Sequence, residues 1–394
     1  MQVEWKQRLL WLGLVLLSIG QGGPAWGMDL GGGLTISNVT YMDFTLPRGD
    51  SFEADTPGLS SDQANTNLGR TQGFHFTRVY LNFIKQFEEK PLVIRITTDQ
   101  MTFLPNGDSQ GTPLGLTGFG GAGRGELFIK FAYAQYTFTP AAVLRVGLQQ
   151  TPWLDWFETR YTYRFLGPTF TDTQGLLTSS DMGVGLLGSI PGGWLQYQVL
   201  FSNGEGYQNN SIDGRGFMGS GRINANFGPL TLAVFGATGR SQNGNSAYDP
   251  KREIVAVIYS NTALSLGADY LLADDTHRGV EVMTTYDSTA GSAGPKTSGR
   301  RFQSARGYHV WGFVRIPPVE PARLYADFYR MKPNDDTDAG TWDQLRFGAS
   351  YDLGPGLVVA LDQTFHRVDL LDTNTGRIDA LKNQATSLRA MLTF

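Results

Sequence analysis

The chain has 394 residues, 41% of them hydrophobic and 17% charged, with 50 glycines and no cysteine. The missing cysteines exclude disulfides, thiolate metal sites and cysteine nucleophiles. A formal charge of -4 leaves no electrostatic footprint for nucleic acid. The apolar content argues against general disorder, and a chain of this length accommodates two or three soluble domains or one large closed sheet.

Residues 1–27 read as a secretory signal peptide. Lys6 and Arg8 form a basic start, Leu9 to Ile19 an apolar core, and Ala25 and Gly27 supply small side chains where a signal peptidase inspects them. Cleavage is expected after Gly27, leaving 28–394 as a single domain. The alternative is an uncleaved anchor, but the apolar run is shorter than the ~20 residues a spanning helix needs.

From residue 34 onward, segments of about ten residues alternate apolar and polar with a period of two and show no sustained helical period. The predicted strands are 34–45, 74–87, 91–100, 126–138, 143–150, 182–189, 194–202, 217–227, 230–239, 253–260, 264–272, 307–316, 322–331, 343–352, 357–366 and 385–394. Sixteen is an even number, as a closed antiparallel barrel with both ends on one side requires. Connectors alternate between short turns, such as Pro140–Ala142, Gly228–Pro229 and Leu353–Gly356, and long polar ones: 46–73, 101–125, 151–181, 203–216, 273–306 and 367–384. Outer-membrane barrels keep that rhythm, with short periplasmic turns and long extracellular loops.

A barrel of sixteen strands is too wide to fill with side chains. The apolar face must therefore look outward into lipid, and the polar face into a water-filled lumen. Only helices and closed barrels satisfy their backbone in a bilayer. By this parity Arg78, Arg95, Arg145, Arg222, Arg346 and Arg389 line the lumen together with Asp99, Asp269, Asp327 and Asp362. One Arg on the lipid face near the midplane would cost about 2–4 kcal/mol. Two readings of these charges stay open: mutual neutralisation, or a cationic stripe that favours anions. Tyr80, Phe87, Tyr136, Phe138, Tyr197, Phe201, Tyr259 and Tyr351 lie near strand ends, where aromatic girdles are expected. The segment 151–181 is unusually aromatic for an exposed loop, with Trp153, Trp156, Phe157, Tyr161, Tyr163, Phe165 and Phe170. The last strand alternates up to a C-terminal Phe394.

That terminal aromatic resembles the assembly signal of bacterial outer-membrane porins, which the barrel assembly machinery reads. The whole mature chain looks like a Gram-negative porin. The stretches Arg78–Phe83 (RVYLNF), Leu144–Pro152 (LRVGLQQTP), Phe170–Leu177 (FTDTQGLL) and Phe201–Tyr207 (FSNGEGY) resemble the phosphate-selective porin O/P family. The resemblance implies a transmembrane all-β barrel of sixteen strands, a homotrimer, and passage of small anions. It also implies that 151–181, as the third extracellular loop, folds into the channel and narrows it, with Asp155, Glu158, Arg160 and Arg164 as lining charges. A loop packing at the rim or against another subunit is the competing reading.

Other motifs carry less. Gly118–Gly123 matches G-x-G-x-x-G but no helix follows it. Asp335, Asp336 and Asp338 read as a solvated acidic loop rather than a calcium site. His75, His277, His309 and His366 lack metal-ligand spacing. An outer-membrane hydrolase would need a Ser/His or Asp/His pair at one rim, and His366 near Asp362 and Asp369 is the nearest candidate. The expectation is thus a non-enzymatic outer-membrane channel for small hydrophilic solutes, with neither cofactor nor metal and a preference for anions, phosphate-like ones included. The alternatives are a channel specific for a sugar or organic compound, and a non-conducting adhesin.

Overall fold

A computed structural model describes residues 27–49, 73–102, 125–173, 175–204, 206–207, 216–243, 246–276, 284–286, 295–297, 304–317, 319–372 and 375–394. The expected signal peptide up to its last residue, the Gly118–Gly123 run and His277 lie outside the described residues.

Sixteen antiparallel strands form one closed wall: β1 (Leu34–Gly49), β2 (Gly73–Gln86), β3 (Leu92–Thr102), β4 (Gly125–Thr139), β5 (Ala142–Gln150), β6 (Ser180–Ser189), β7 (Leu195–Ser202), β8 (Phe217–Phe227), β9 (Leu230–Asn243), β10 (Ser246–Ser260), β11 (Leu264–Thr276), β12 (Ala305–Ile316), β13 (Val319–Lys332), β14 (Trp342–Asp352), β15 (Leu357–Asp372) and β16 (Ile378–Thr393). Each pairs with the next, and β16 closes on β1 from Asn383↔Gly49 to Thr393↔Val39. Closure leaves no wall strand with an unpaired edge. Three short strands attach to the wall. Gly27–Asp29 folds back on β1, while Thr284–Tyr286 and Pro295–Thr297 form a hairpin between β11 and β12 that also meets the end of β15.

The strand count and order agree with the alternation in the sequence, but several strands run further than it predicts. β9 reaches Asn243 and β10 begins at Ser246, and the expected connector 367–384 is largely ladder, in β15 to Asp372 and in β16 from Ile378. Backbone pairing continues past the stretches where apolar and polar residues alternate, because ladder hydrogen bonds join main-chain groups whatever the side chains.

Side-chain directions invert those of a soluble barrel. Ile96 is 44% exposed, whereas Arg95 beside it is 4% exposed. Val146, Val184, Val199, Val257, Leu345, Phe347 and Leu388 likewise stand exposed on the outside, while Arg145, Gln198, Arg222, Arg346, Asp362 and Arg389 are buried. A contiguous apolar exterior of this kind marks a surface that meets an apolar medium or partner.

Two expectations need correction. Tyr80 does not join an outer girdle: it is buried beside Lys130 on the inner side, because it shares the strand parity of Arg78 and Asn82. Nor is the inner face polar throughout. On β9 to β12, Ala233, Phe235, Ala237, Ile254, Ala256, Ile258, Leu271, Trp311 and Phe313 are buried, opposite the exposed apolar row. Strands apolar on both faces read as near-continuous hydrophobic runs, as Ile254–Tyr259 does.

Candidate functional site

Aromatic side chains of the segment joining β5 to β6 meet buried rings of β9 and β12. This segment is not structureless: it contains α1 (Leu154–Tyr161), a 3-10 turn (Arg164–Leu166) and a short α2 (Phe170–Thr173). Thr162, at φ 58°, ends α1 in the left-handed region, and its N–H bonds the Glu158 carbonyl. Residues three and four apart share one helix face, so Trp153, Phe157 and Tyr161 stack at 5.5 and 6.2 Å. Their rings meet Phe235 and Trp311, and Tyr163 meets Phe313 and Tyr325. Gly307 on β12 makes room for Phe170, since a Cβ there would lie 2.3 Å from its ring. Beneath these rings His309 and Asp269 pair at 3.0 Å.

The charges read as lining residues fall into two groups. In the first, each charge has a partner. Arg78 meets Asp99 at 2.5 Å and both bond the Tyr207 hydroxyl. Arg346 holds Asp327 at 2.6 Å, and Tyr161 donates its hydroxyl to the same carboxylate. Arg389 bridges Asp362 at 2.5 Å and Asp43 at 3.2 Å, tying β15, β16 and β1 together at the closing seam. Arg164 pairs with Glu158 at 2.8 Å and with Asp172 at 3.0 Å. On the wall these ion pairs run from β13 through β16 and β1 to Asp99 on β3.

The second group has no carboxylate within ion-pair distance among the described residues: Arg95, Lys130, Arg145, Arg160 and Arg222. Arg95 bonds Asn82 and Thr97, and Arg145 bonds Gln135 and Gln150. The Nη1 of Arg95 is buried and has no hydrogen-bond partner among the described residues. Aromatic faces carry these cations: Arg95 lies 4.7 Å from the Phe131 ring, Lys130 4.4 Å from Tyr80, Arg145 4.7 Å from Tyr133, and Arg160 and Arg222 4.2 and 4.7 Å from Trp156. Cation–π contact stabilises a positive charge without cancelling it. Arg95, Lys130 and Arg145 stand on consecutive strands, so β3 to β5 form a cationic sector.

Lys130 is the member that parity missed. The β3–β4 register shifts between Thr97 and Thr98, and this bulge turns Lys130 and Phe131 both inward. The signal in the sequence was a lone lysine breaking the alternation of β4. Asp155 is the carboxylate that feels Arg95, Lys130 and Arg145 together, yet burial outweighs them and pushes it up to about 6. Burial likewise lowers Arg160 to about 10.

The remaining candidates are engaged elsewhere. Asp362 takes Arg389 and the Thr364 hydroxyl, and Asp369 takes Arg367 at 2.9 Å. Asp335 pairs with Arg306 at 3.0 Å and Asp338 with Lys332 at 2.9 Å, which fits a solvated acidic loop. Among the described residues no group of three His, Asp or Glu side chains could hold a metal.

The architecture is that of the outer-membrane porins, and solved structures share it along nearly the whole chain. The anion-selective porin from Comamonas acidovorans superposes with a TM-score of 0.59 at 10% identity, covering 92% of this chain and 99% of its own. OmpF of Salmonella typhi, in complex with daunomycin, gives 0.58 at 12%, covering 93% and 100%. The outer membrane channel DcaP of Acinetobacter baumannii gives 0.58 at 14%, covering 93% and 99%. At such identities the likeness defines the fold alone. No family model and no curated protein matches the sequence.

Proposed function

We propose that the mature chain is an outer-membrane porin: a water-filled barrel, embedded in lipid after export and signal-peptide removal, through which small hydrophilic solutes diffuse without an energy source. The observation that carries this reading is the inversion of the wall, apolar outside and charged within, around a closed ring of strands. Segment 151–179 is the narrowing element, leaning on the apolar inner wall and leaving the bore beside the β3–β5 sector. Arg95, Lys130 and Arg145, which have no carboxylate at ion-pair distance among the described residues, support a preference for anions, since cations along a pore admit counter-ions. Small oxyanions, phosphate among them, suit guanidinium and ammonium donors. Phe394, whose backbone pairs with Asn38 on β1, serves as the assembly signal. A homotrimer is the assembly that the resemblance to porins implies.

Planar-bilayer recording of the purified mature protein tests the reading. Stepwise conductance with a reversal potential on the anion side is expected; electrical silence would favour a non-conducting barrel, and saturable flux of a neutral sugar would favour a specific channel.

A pH dependence follows from Asp155. With its carboxyl raised to about 6 by burial, it is ionised at about pH 7.5 and neutral at about pH 5. Acidification removes a negative charge next to the cationic sector, so anion preference should strengthen on going from the higher to the lower pH. Asp155→Asn should show the acid-pH preference at both values; an unaltered pH profile in that variant would assign the titration to another group.

A further inference from the structure

We propose that Arg222, Arg252 and Arg346 are positioning residues: they fasten segment 151–179 and thereby set the bore of the channel, instead of selecting ions. This rests on the reading of that segment as the narrowing element.

Each of the three arginines is at most 6% exposed, and each donates to a backbone carbonyl of the segment. Arg222 Nη1 reaches the Pro152 carbonyl at 2.7 Å, where the segment leaves β5. Arg346 Nη1 reaches Leu166 at 2.7 Å, at the end of the 3-10 turn. Arg252 Nε reaches Leu176 at 3.1 Å, on the returning limb. These positions mark the entry, the middle and the exit of the segment. A buried carbonyl outside helix and sheet needs a donor, and each of these receives one from a wall strand.

The residue type matters. A guanidinium carries five N–H donors in a rigid fork and can hold a carbonyl together with a second group. Arg346 also donates to Asp327 and to the Tyr161 hydroxyl. Arg252 also binds Asp275 at 2.5 Å, and Arg222 also lies over Trp156. A lysine retains the charge but offers a single compact head. The segment is shaped for the contact as well. Gly167, directly after the tethered carbonyl, has φ +151°, and a Cβ there would lie 2.8 Å from Arg346 Nη1.

Two further considerations separate tethers from selectivity charges. Arg346 and Arg252 each have a carboxylate at ion-pair distance, so an ion in the bore meets little net charge from them; Arg222, which has none among the described residues, is assigned as a tether by its bond to the Pro152 carbonyl. Arg95, Lys130 and Arg145 show the opposite arrangement, with no carboxylate at that distance and no hydrogen bond to the segment among the described residues.

The test uses variants that preserve charge. Arg346→Lys and Arg252→Lys, purified as full-length mature protein, are expected to give larger and noisier single-channel currents and to admit larger polyethylene glycols, with the wild-type reversal potential. Gly167→Ala should reproduce this from the segment side without altering the wall. In detergent, trypsin should cleave after Arg160 faster in all three variants than in wild type; this readout does not depend on conduction, so it separates failure of the tether from failure of the porin reading. Wild-type current, noise, polymer limit and cleavage rate in folded Arg346→Lys would overturn the proposal. If that variant does not fold, wild-type behaviour of Gly167→Ala overturns it instead.

Discussion

Replacing Arg95, Lys130 and Arg145 together by Met should move the reversal potential of the channel from the anion side toward the cation side. At about 5 Å in water a unit charge contributes about 0.8 kcal/mol to the energy of a passing ion. Salt at about 0.1 M screens over about 10 Å and roughly halves the sum. Removing three charges that have no carboxylate at ion-pair distance among the described residues therefore costs an anion about 1 kcal/mol and favours a cation by a similar amount. Since about 1.4 kcal/mol corresponds to a factor of ten, the anion-to-cation permeability ratio should fall by roughly tenfold or more. The same triple change at Arg78, Arg346 and Arg389 removes equal formal charge but leaves Asp99, Asp327 and Asp362 behind, so its effect is entangled with stability: breaking a buried ion pair from one side costs about 3–5 kcal/mol. An unchanged reversal potential in the Arg95, Lys130 and Arg145 variant would show that the β3–β5 sector does not govern selectivity.

Phe157→Ala should release segment 151–179 from the wall while leaving the barrel intact. Phe157 is 2% exposed. Its ring stacks on Trp153 and Tyr161 and meets the edge of Trp311 at 6.1 Å. Truncating a buried phenylalanine costs about 3–5 kcal/mol. That loss falls on one segment, whose opening needs no strand to unpair. The expected result is a larger single-channel conductance with unaltered β-sheet circular dichroism. Conductance equal to wild type in a folded variant would mean that the segment does not limit the bore.

The parts of this architecture that were legible in the sequence share one cause. Wherever one face of a strand meets an apolar medium and the other meets water or charge, side chains alternate. Leu92–Asp99 and Leu144–Gln149 therefore disclosed strands, faces and the inward arginines. Three features escaped for equally physical reasons. Lys130 turns inward through a bulge, and a bulge shifts parity without leaving a mark on composition. The buried faces of β9 and β10 are apolar, so Ile254–Tyr259 carries no alternation; the aromatic richness of segment 151–179 was visible, but not that its rings meet Phe235 and Trp311. The distinction between neutralised and unpaired arginines depends on which strands lie side by side. Arg389 meets Asp43 across the closing seam, 346 residues away in sequence, and no local pattern reports such a contact.

The central claim is the inversion of the wall, and single cysteines test it directly because the chain has none of its own. In reconstituted vesicles a water-soluble thiol reagent should modify Gln196→Cys and Asn226→Cys rapidly through the bore, since both side chains are only half-buried and bond Asn224 on the inner face. It should leave Val146→Cys and Val257→Cys unmodified until the lipid is dissolved. Fast labelling at residues 146 and 257 with protection at 196 and 226 would contradict the account, for it would put water outside the barrel and the apolar phase within.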